Sequence, residues 1–460
     1  MITATEQLET YLESFTEFQK RAVGGDLPWL RQLREDAFAR FCEAGFPTTH
    51  DEDWRFTNVS AIARTSFQLA RDGRLVKEEV EQFQVKGAAC QLVFINGRFV
   101  REFSSIGKMP AGVKVSGLAE EIDSDPGTIK AQLGRYLDTR RDAFCALNTA
   151  FAEDGAYVHI RKGVVLEEPI FLLFISTAFE VPHMSHPRNL IVAEEESQAT
   201  IVEDYVSLGG SSAFCNTITE LVVGDNAVIS HYMLEREHRQ AFNVSTLRIQ
   251  QGRSANVASH SVLLGGGLVR NNVHPVLAGE GGECLINGLF IGNGQQHLDN
   301  YMLVEHASPH CDSRQFYNGI LDDRAHGVFH GRIIVHKDAQ KTDAKQTNRN
   351  LLLSDDAQID TKPQLEIYAD DVKCTHGATI GQIEENALFY LRSRGIDELS
   401  ARKLLLLAFA SECLDRMKPS PARDHVEKLI HDYLLQVANS GDRLVTREHG
   451  DIARKWEEIG

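Results

Sequence analysis

Lys373-Cys374-Thr375-His376-Gly377 is the sharpest chemical feature of the sequence. On a strand, positions i and i+2 share a face and lie about 6.6 Å apart along the chain. A thiol and an imidazole so placed can reach one metal ion or one cluster. Lys373, next to the cysteine, is expected to favour the thiolate. Two donors are too few alone, because zinc takes three or four and iron–sulfur clusters usually take four. Cys374 and His376 are therefore either half of a site completed from elsewhere, or an inert strand cysteine beside a surface histidine. His306-x3-His310-Cys311 is a second set with ligand chemistry. It lies in a run of histidines at 231, 238, 260, 274, 297, 306, 310, 326, 330 and 336, whose plain reading is turns and polar faces of successive strands. Asn348 and Asn350 suit backbone bonding or side-chain ladders, and Asp355-Asp356 and Asp370-Asp371 suit turns.

Missing motifs narrow the chemistry. No Gly-x4-Gly-Lys-[Ser/Thr] occurs, so ATP hydrolysis of the P-loop kind is not expected of this chain. No Gly-x-Ser-x-Gly elbow is present, and no Gly-x-Gly-x-x-Gly opens a helix. Gly265-Gly266-Gly267 reads as a turn between strands. Eight cysteines stand singly at 42, 90, 145, 215, 284, 311, 374 and 413, with no Cys-x-x-Cys, so no complete zinc-finger or ferredoxin-type site is written here. Of 460 residues, 42% are hydrophobic and 25% charged, which excludes a mainly disordered chain. The formal net charge of −17 argues against nucleic acid as a partner. The acidic start, with Glu6, Glu9 and Glu13 and no basic n-region, is not expected to be a signal or transit peptide. The longest apolar run, from Leu404 to Ala410, is far below the roughly 18 residues of a membrane span. The expectation is a soluble, cytoplasmic chain with free thiols.

These residues must be held by elements, and the sequence pattern changes twice along the chain. Leu8, Tyr11, Leu12, Phe15 and Phe18 keep helical spacing. A second helix is expected to open at Leu27-Pro28-Trp29-Leu30, with Asp26 placed to cap it and Pro28 in its first turn, and to end at Gly45-Phe46-Pro47. From about residue 88 the period becomes two, with Asn96-Gly97 as a hairpin turn. Between about 155 and 380, short β-like runs are broken at Asp225-Asn226, Gly252-Arg253, Glu280-Gly281, Pro309-His310, Asp323-Arg324, Asp338-Ala339, Asp356-Ala357 and Asp371-Val372. The breaks recur every 14–18 residues or twice that, with no helix between, so a β-solenoid is favoured over a sandwich. After Gly381 helical spacing returns. One helix is expected over 386–394, a second capped by Asp397 with Leu404, Leu405, Leu407 and Phe409 in its stripe, and a third capped by Asp424 that runs through Val437. The Leu404–Phe409 stripe is either bundle core or partly a docking surface. The tail from Gly441 is charged and expected to be loosely held.

Longer stretches resemble the SufB/SufD family. They include Phe329-His330-Gly331-Arg332, Ala339-Gln340-Lys341-Thr342-Asp343-Ala344, Gln346-Thr347-Asn348-Arg349-Asn350-Leu351-Leu352, Thr361-Lys362-Pro363-Gln364-Leu365-Glu366-Ile367 and Phe389-Tyr390-Leu391-Arg392-Ser393-Arg394-Gly395. Weaker matches are Glu52-Asp53-Trp54-Arg55-Phe56-Thr57 and Leu147-Asn148-Thr149-Ala150-Phe151. Cys374-Thr375-His376-Gly377-Ala378-Thr379 points to the SufD branch more than to SufB. The resemblance implies a right-handed parallel β-helix core (151–381) between an N-terminal helical and mixed domain (1–150) and a C-terminal helical domain (382–460). It implies a non-catalytic scaffold subunit of iron–sulfur cluster assembly that pairs with SufB and docks the ATPase SufC through its C-terminal helices. Cys374 and His376 would be interface ligands, His376 the better one, sharing a transient nascent cluster with a SufB cysteine. A homodimer is plausible for the chain alone. Two other readings compete on fold grounds: a β-helical enzyme acting on carbohydrate or acyl groups, and a lone metalloprotein using His306, His310 and Cys311.

Overall fold

The computed structural model describes residues 4–440 other than 71, 72, 74 and 141. The side chains of Leu8 and Val437 and the tail from Gly441 lie outside the described residues. The middle of the chain winds into a parallel β-solenoid of about 8 turns. Each coil gives one strand to each of two facing sheets. One sheet carries Ala213–Val223, Phe242–Gln251, Leu268–Leu277, His297–His306, His326–Val335 and Gln358–Ile367 in spatial order. The other carries Gln198–Leu208, Val228–Arg236, Asn256–Leu263, Glu283–Gly292, Asp312–Leu321, Asp343–Leu352 and Lys373–Gly381. Phe242 pairs with Leu268, Gln198 with Val228 and Tyr157 with Leu190, so a coil takes between 26 and 33 residues. Alternate side chains enter the lumen and stack by register; Phe94, Phe174 and Tyr205 form one column with ring centroids 4.6 and 4.7 Å apart.

One corner of the solenoid repeats in every coil. Glu196, Asn226, Ser254, Gly281, His310 and Lys341 all have φ between 52° and 73°. Each donates its backbone N–H to a carbonyl of the next coil's corner, from Asp225 through Arg253, Glu280, Pro309 and Gln340 to Asp371. The left-handed conformation turns the chain tightly and aims that N–H along the axis. The following residues (Ser197, Ala227, Ala255, Gly282, Cys311, Thr342) are small or medium-sized and buried.

The first coil is closed by chain from the N-terminal third. Cys90–Ile95 pairs in parallel with Ile170–Thr177 and antiparallel with Arg98–Phe99 and Ser105–Ile106. The hairpin turn has Asn96 at φ 53° and Gly97 at φ 85°, as the Asn-Gly signal predicts. Val113–Gly117 closes the other sheet against Ala156–Ile160. The N-terminal helices Ala4–Gln19 and Pro28–Ala44 bury Tyr11, Phe15, Phe18, Leu30, Ala37 and Phe41, while Leu12 of the expected stripe is exposed. The cap of the second helix is Leu27, with no side-chain bond, because the helix starts at Pro28, one residue too far on for Asp26 to cap it.

Three helices follow the solenoid: Glu385–Ser393, Glu398–Leu414 and Pro421–Ser440. Asp397 caps the second, accepting from Ser400 N–H at 3.0 Å. The third starts three residues before Asp424, and Ser420 accepts from Arg423 N–H instead. Leu406, Ala410, Cys413, Leu414, Val426 and Ile430 pack on Phe171, Tyr232, Val262, Leu289 and Ile320, from the outer face of one sheet. Asn287 and Asn318 donate to the carbonyls of Cys413 and Phe409. Of the expected stripe, Leu404 is exposed and Leu405, Leu407 and Phe409 are half-buried. Among the described residues no helix is long and apolar enough to cross a membrane.

Candidate functional site

Cys374 and His376 lie on the terminal strand Lys373–Gly381, whose only strand partner among the described residues is Asp343–Leu352. Cys374 pairs with Ala344 and His376 with Gln346. Both partners are buried lumen residues, so the thiol and the imidazole sit on the lumen face of the last coil. The structure thus brings the two predicted residues to one face. Cys374 is half-buried and packs against the end of the core; His376 is exposed.

The expected activation of Cys374 by Lys373 does not hold. Burial pushes the thiol above its ordinary value, and the Asp343 carboxylate adds to this, against a lowering hydrogen bond from the Ala344 backbone. Lys373 is exposed, and as the preceding strand residue it projects to the opposite face.

His306, His310 and Cys311 are not a metal site. His306 is buried and bonds Ser313 Oγ through Nε2 at 2.8 Å. His310 is exposed and occupies the left-handed corner position. Cys311 fills the buried corner column, its thiol 3.3 Å from the Gly279 carbonyl. Spacing in sequence misled here because the corner turns these side chains apart. Among the described residues no group of three or more Cys, His, Asp or Glu side chains can hold a metal ion. The stand-alone metalloprotein reading loses this ligand set among the described residues. Other histidines of the run are structural as expected: His260 bonds Asn287, and His326 pairs with Asp360 at 2.8 Å. Asn348 and Asn350 bond each other and the carbonyls of Tyr317 and Thr379, the expected ladder role.

The surroundings of the pair are open. Among the described residues, both last strands, Gln358–Ile367 and Lys373–Gly381, have one unpaired edge. Ile367, Tyr368 and Ile380 are exposed there, and Phe389 and Tyr390 on the next helix are 74% and 57% exposed. An unpaired strand edge beside exposed apolar side chains is a surface able to accept another chain.

Two lumen residues beside the pair escaped the sequence reading. Gln315 and Gln346 precede His376 in one register column. The signal that could have found them was the coil period, since 315, 346 and 376 are 31 and 30 apart.

Comparison with known proteins agrees with this architecture. Residues 174–409 match the SufBD core domain of SUF-system FeS cluster assembly, and residues 5–172 match the SufBD protein N-terminal region. The chain is 36% identical over 383 residues to the iron–sulfur cluster assembly SufBD family protein slr0076 of Synechocystis, covering 81% of this chain and 84% of that one. It is 32% identical over 388 residues to the iron–sulfur cluster assembly protein SufD of Escherichia coli, covering 83% and 88%. It is 29% identical over 438 residues to the chloroplastic protein ABCI7 of Arabidopsis thaliana, covering 91% and 90%. Matched by both family regions over nearly all of residues 5–409, and 36% and 32% identical to two family members over most of their length, this chain belongs to the SufBD family of SUF-system iron–sulfur cluster assembly proteins.

Proposed function

We propose that the chain is a non-catalytic scaffold subunit that works in the cytoplasm within a SufB–SufC–SufD complex. One observation carries this reading: among the described residues, the ligand-type pair on the open end is incomplete and lies on a strand with an unpaired edge. A half-site of this kind suits a partner that supplies the remaining donors. SufB would dock at the terminal coil, and one of its cysteines would join His376 and Cys374 around a nascent cluster, which is cargo rather than a resident group. SufC would bind the C-terminal helices, where Leu404 remains exposed. Closure of two ATP-loaded SufC subunits would pull those helices, shift the interface and open the pair to iron and sulfide. The driving energy is the difference in ATP affinity between the open and closed arrangements. In the absence of SufB, the same edge would serve a second copy of this chain.

Co-expression of the three subunits with His376→Ala tests the assignment. The expected outcome is loss of most cluster absorbance and bound iron and sulfide, with the complex intact. Unchanged iron and sulfide in the variant complex removes His376 from the site.

A further inference from the structure

We propose that Gln346 is a positioning residue for His376, its side-chain carbonyl oxygen holding the imidazole in one tautomer. The inference rests on the reading of His376 as a ligand and deepens it. Gln346 is the direct register neighbour of His376, one coil inside the open end. It is 2% exposed. Its Nε2 donates to Gln315 Oε1 at 3.0 Å. Its Oε1 is buried and has no hydrogen-bond partner among the described residues. Buried polar groups are almost always paired, so an orphaned carbonyl oxygen of this kind calls for a donor.

The amide also has little freedom to find one elsewhere. A Cβ on Gly331, in the facing sheet, would lie 1.5 Å from Gln346 Nε2, so the glutamine occupies space that only a glycine leaves. Held between Gln315 and the bare backbone at Gly331, the carbonyl is set for a donor arriving from the next coil. His376, the next residue of that column, would turn a ring N–H onto this oxygen. The ring nitrogen that donates to Gln346 carries the proton, and the other keeps its lone pair for a metal. Metal-binding histidines are regularly oriented by such an acceptor on the second nitrogen.

Ring nitrogen shifts of His376, read by NMR on the full chain, test this without any cluster. In the wild-type protein one tautomer should dominate by up to about ten-fold, the size of one neutral hydrogen bond. Gln346→Met keeps the length and removes the acceptor, and should collapse that preference several-fold. Gln346→Glu restores an acceptor and should restore the preference. Gln315→Met frees the amide and should weaken the preference while leaving the Gln346 side chain in place, so it serves if Gln346→Met does not fold. An unchanged tautomer ratio in Gln346→Met or in Gln315→Met overturns the proposal. If the ratio responds but His376→Ala leaves cluster content intact, the positioning role stands and the ligand reading falls.

Discussion

At the N-terminal end of the solenoid, every residue of Cys90–Ile95 is buried; at the C-terminal end, every residue of Lys373–Gly381 but Cys374 is exposed. Both are parallel strands on an end rung of the same sheet. The two ends differ in their backing. The first strand is backed by its own hairpin, which satisfies its outer N–H and C=O groups from within the chain. Among the described residues the last strand has no such backing, and its outer groups face solvent. A parallel solenoid has no intrinsic way to stop, so each end needs a device. Among the described residues, one end is closed by committed chain and the other is left as a surface, and the ligand-type pair sits on the open one.

The comparison can be broken at the closed end first. Phe94 is fully buried and stacks on Phe174, so Phe94→Ala should cost about 3–5 kcal/mol in chemical denaturation. A loss under about 1 kcal/mol would mean the closing strand is not integral to the fold. The next effect is one of pH. His186, near the closed end, is buried against Phe151 with ring centroids 5.2 Å apart, and burial pushes its pKa down to about 3. The unfolded imidazole takes up a proton below about pH 6.5, whereas the native one does so only near 3. Stability should therefore fall as pH drops from about 6.5 towards 3, by up to about 1.4 kcal/mol per pH unit. Denaturation midpoints at stepped pH, flattened in His186→Phe, check this. The smallest effect belongs to the open end. Tyr368→Ser and Ile380→Thr should change stability by no more than about 0.5 kcal/mol, yet weaken association of the chain with itself or SufB in sedimentation. Destabilisation on the scale of Phe94→Ala would show that this end is core.

The solenoid was legible in the sequence because its corners recur. Asp225-Asn226, Gly252-Arg253, Glu280-Gly281 and Pro309-His310 all fall on the left-handed ladder, where turn residues are needed coil after coil. Helix caps were less legible. Asp397 caps as expected, but Asp26 and Asp424 miss by one to four residues, and a cap works only at one position. Cys374 and His376 were visible as a strand pair, but the charge environment of Cys374 was not. Lys373 is adjacent in sequence and opposite in space, whereas Asp343 is 31 residues away and one coil below. The same geometry hid Gln346 and broke up His306, His310 and Cys311. In a solenoid the neighbours that decide chemistry are about one coil apart in sequence.

The left-handed corner also acts as a ruler. Six strands of one sheet begin two residues after a left-handed corner residue, at 198, 228, 256, 283, 312 and 343, although the coils differ in length. Length differences are therefore absorbed in the segments leading to and from the facing sheet, not at this corner. A residue inserted there is a longer loop; a residue inserted between the corner and its strand would turn one rung inside out, putting lumen side chains in water. Whole coils can be gained or lost without upsetting the rest, and the position of the Cys374–His376 rung is set by counting corners rather than residues.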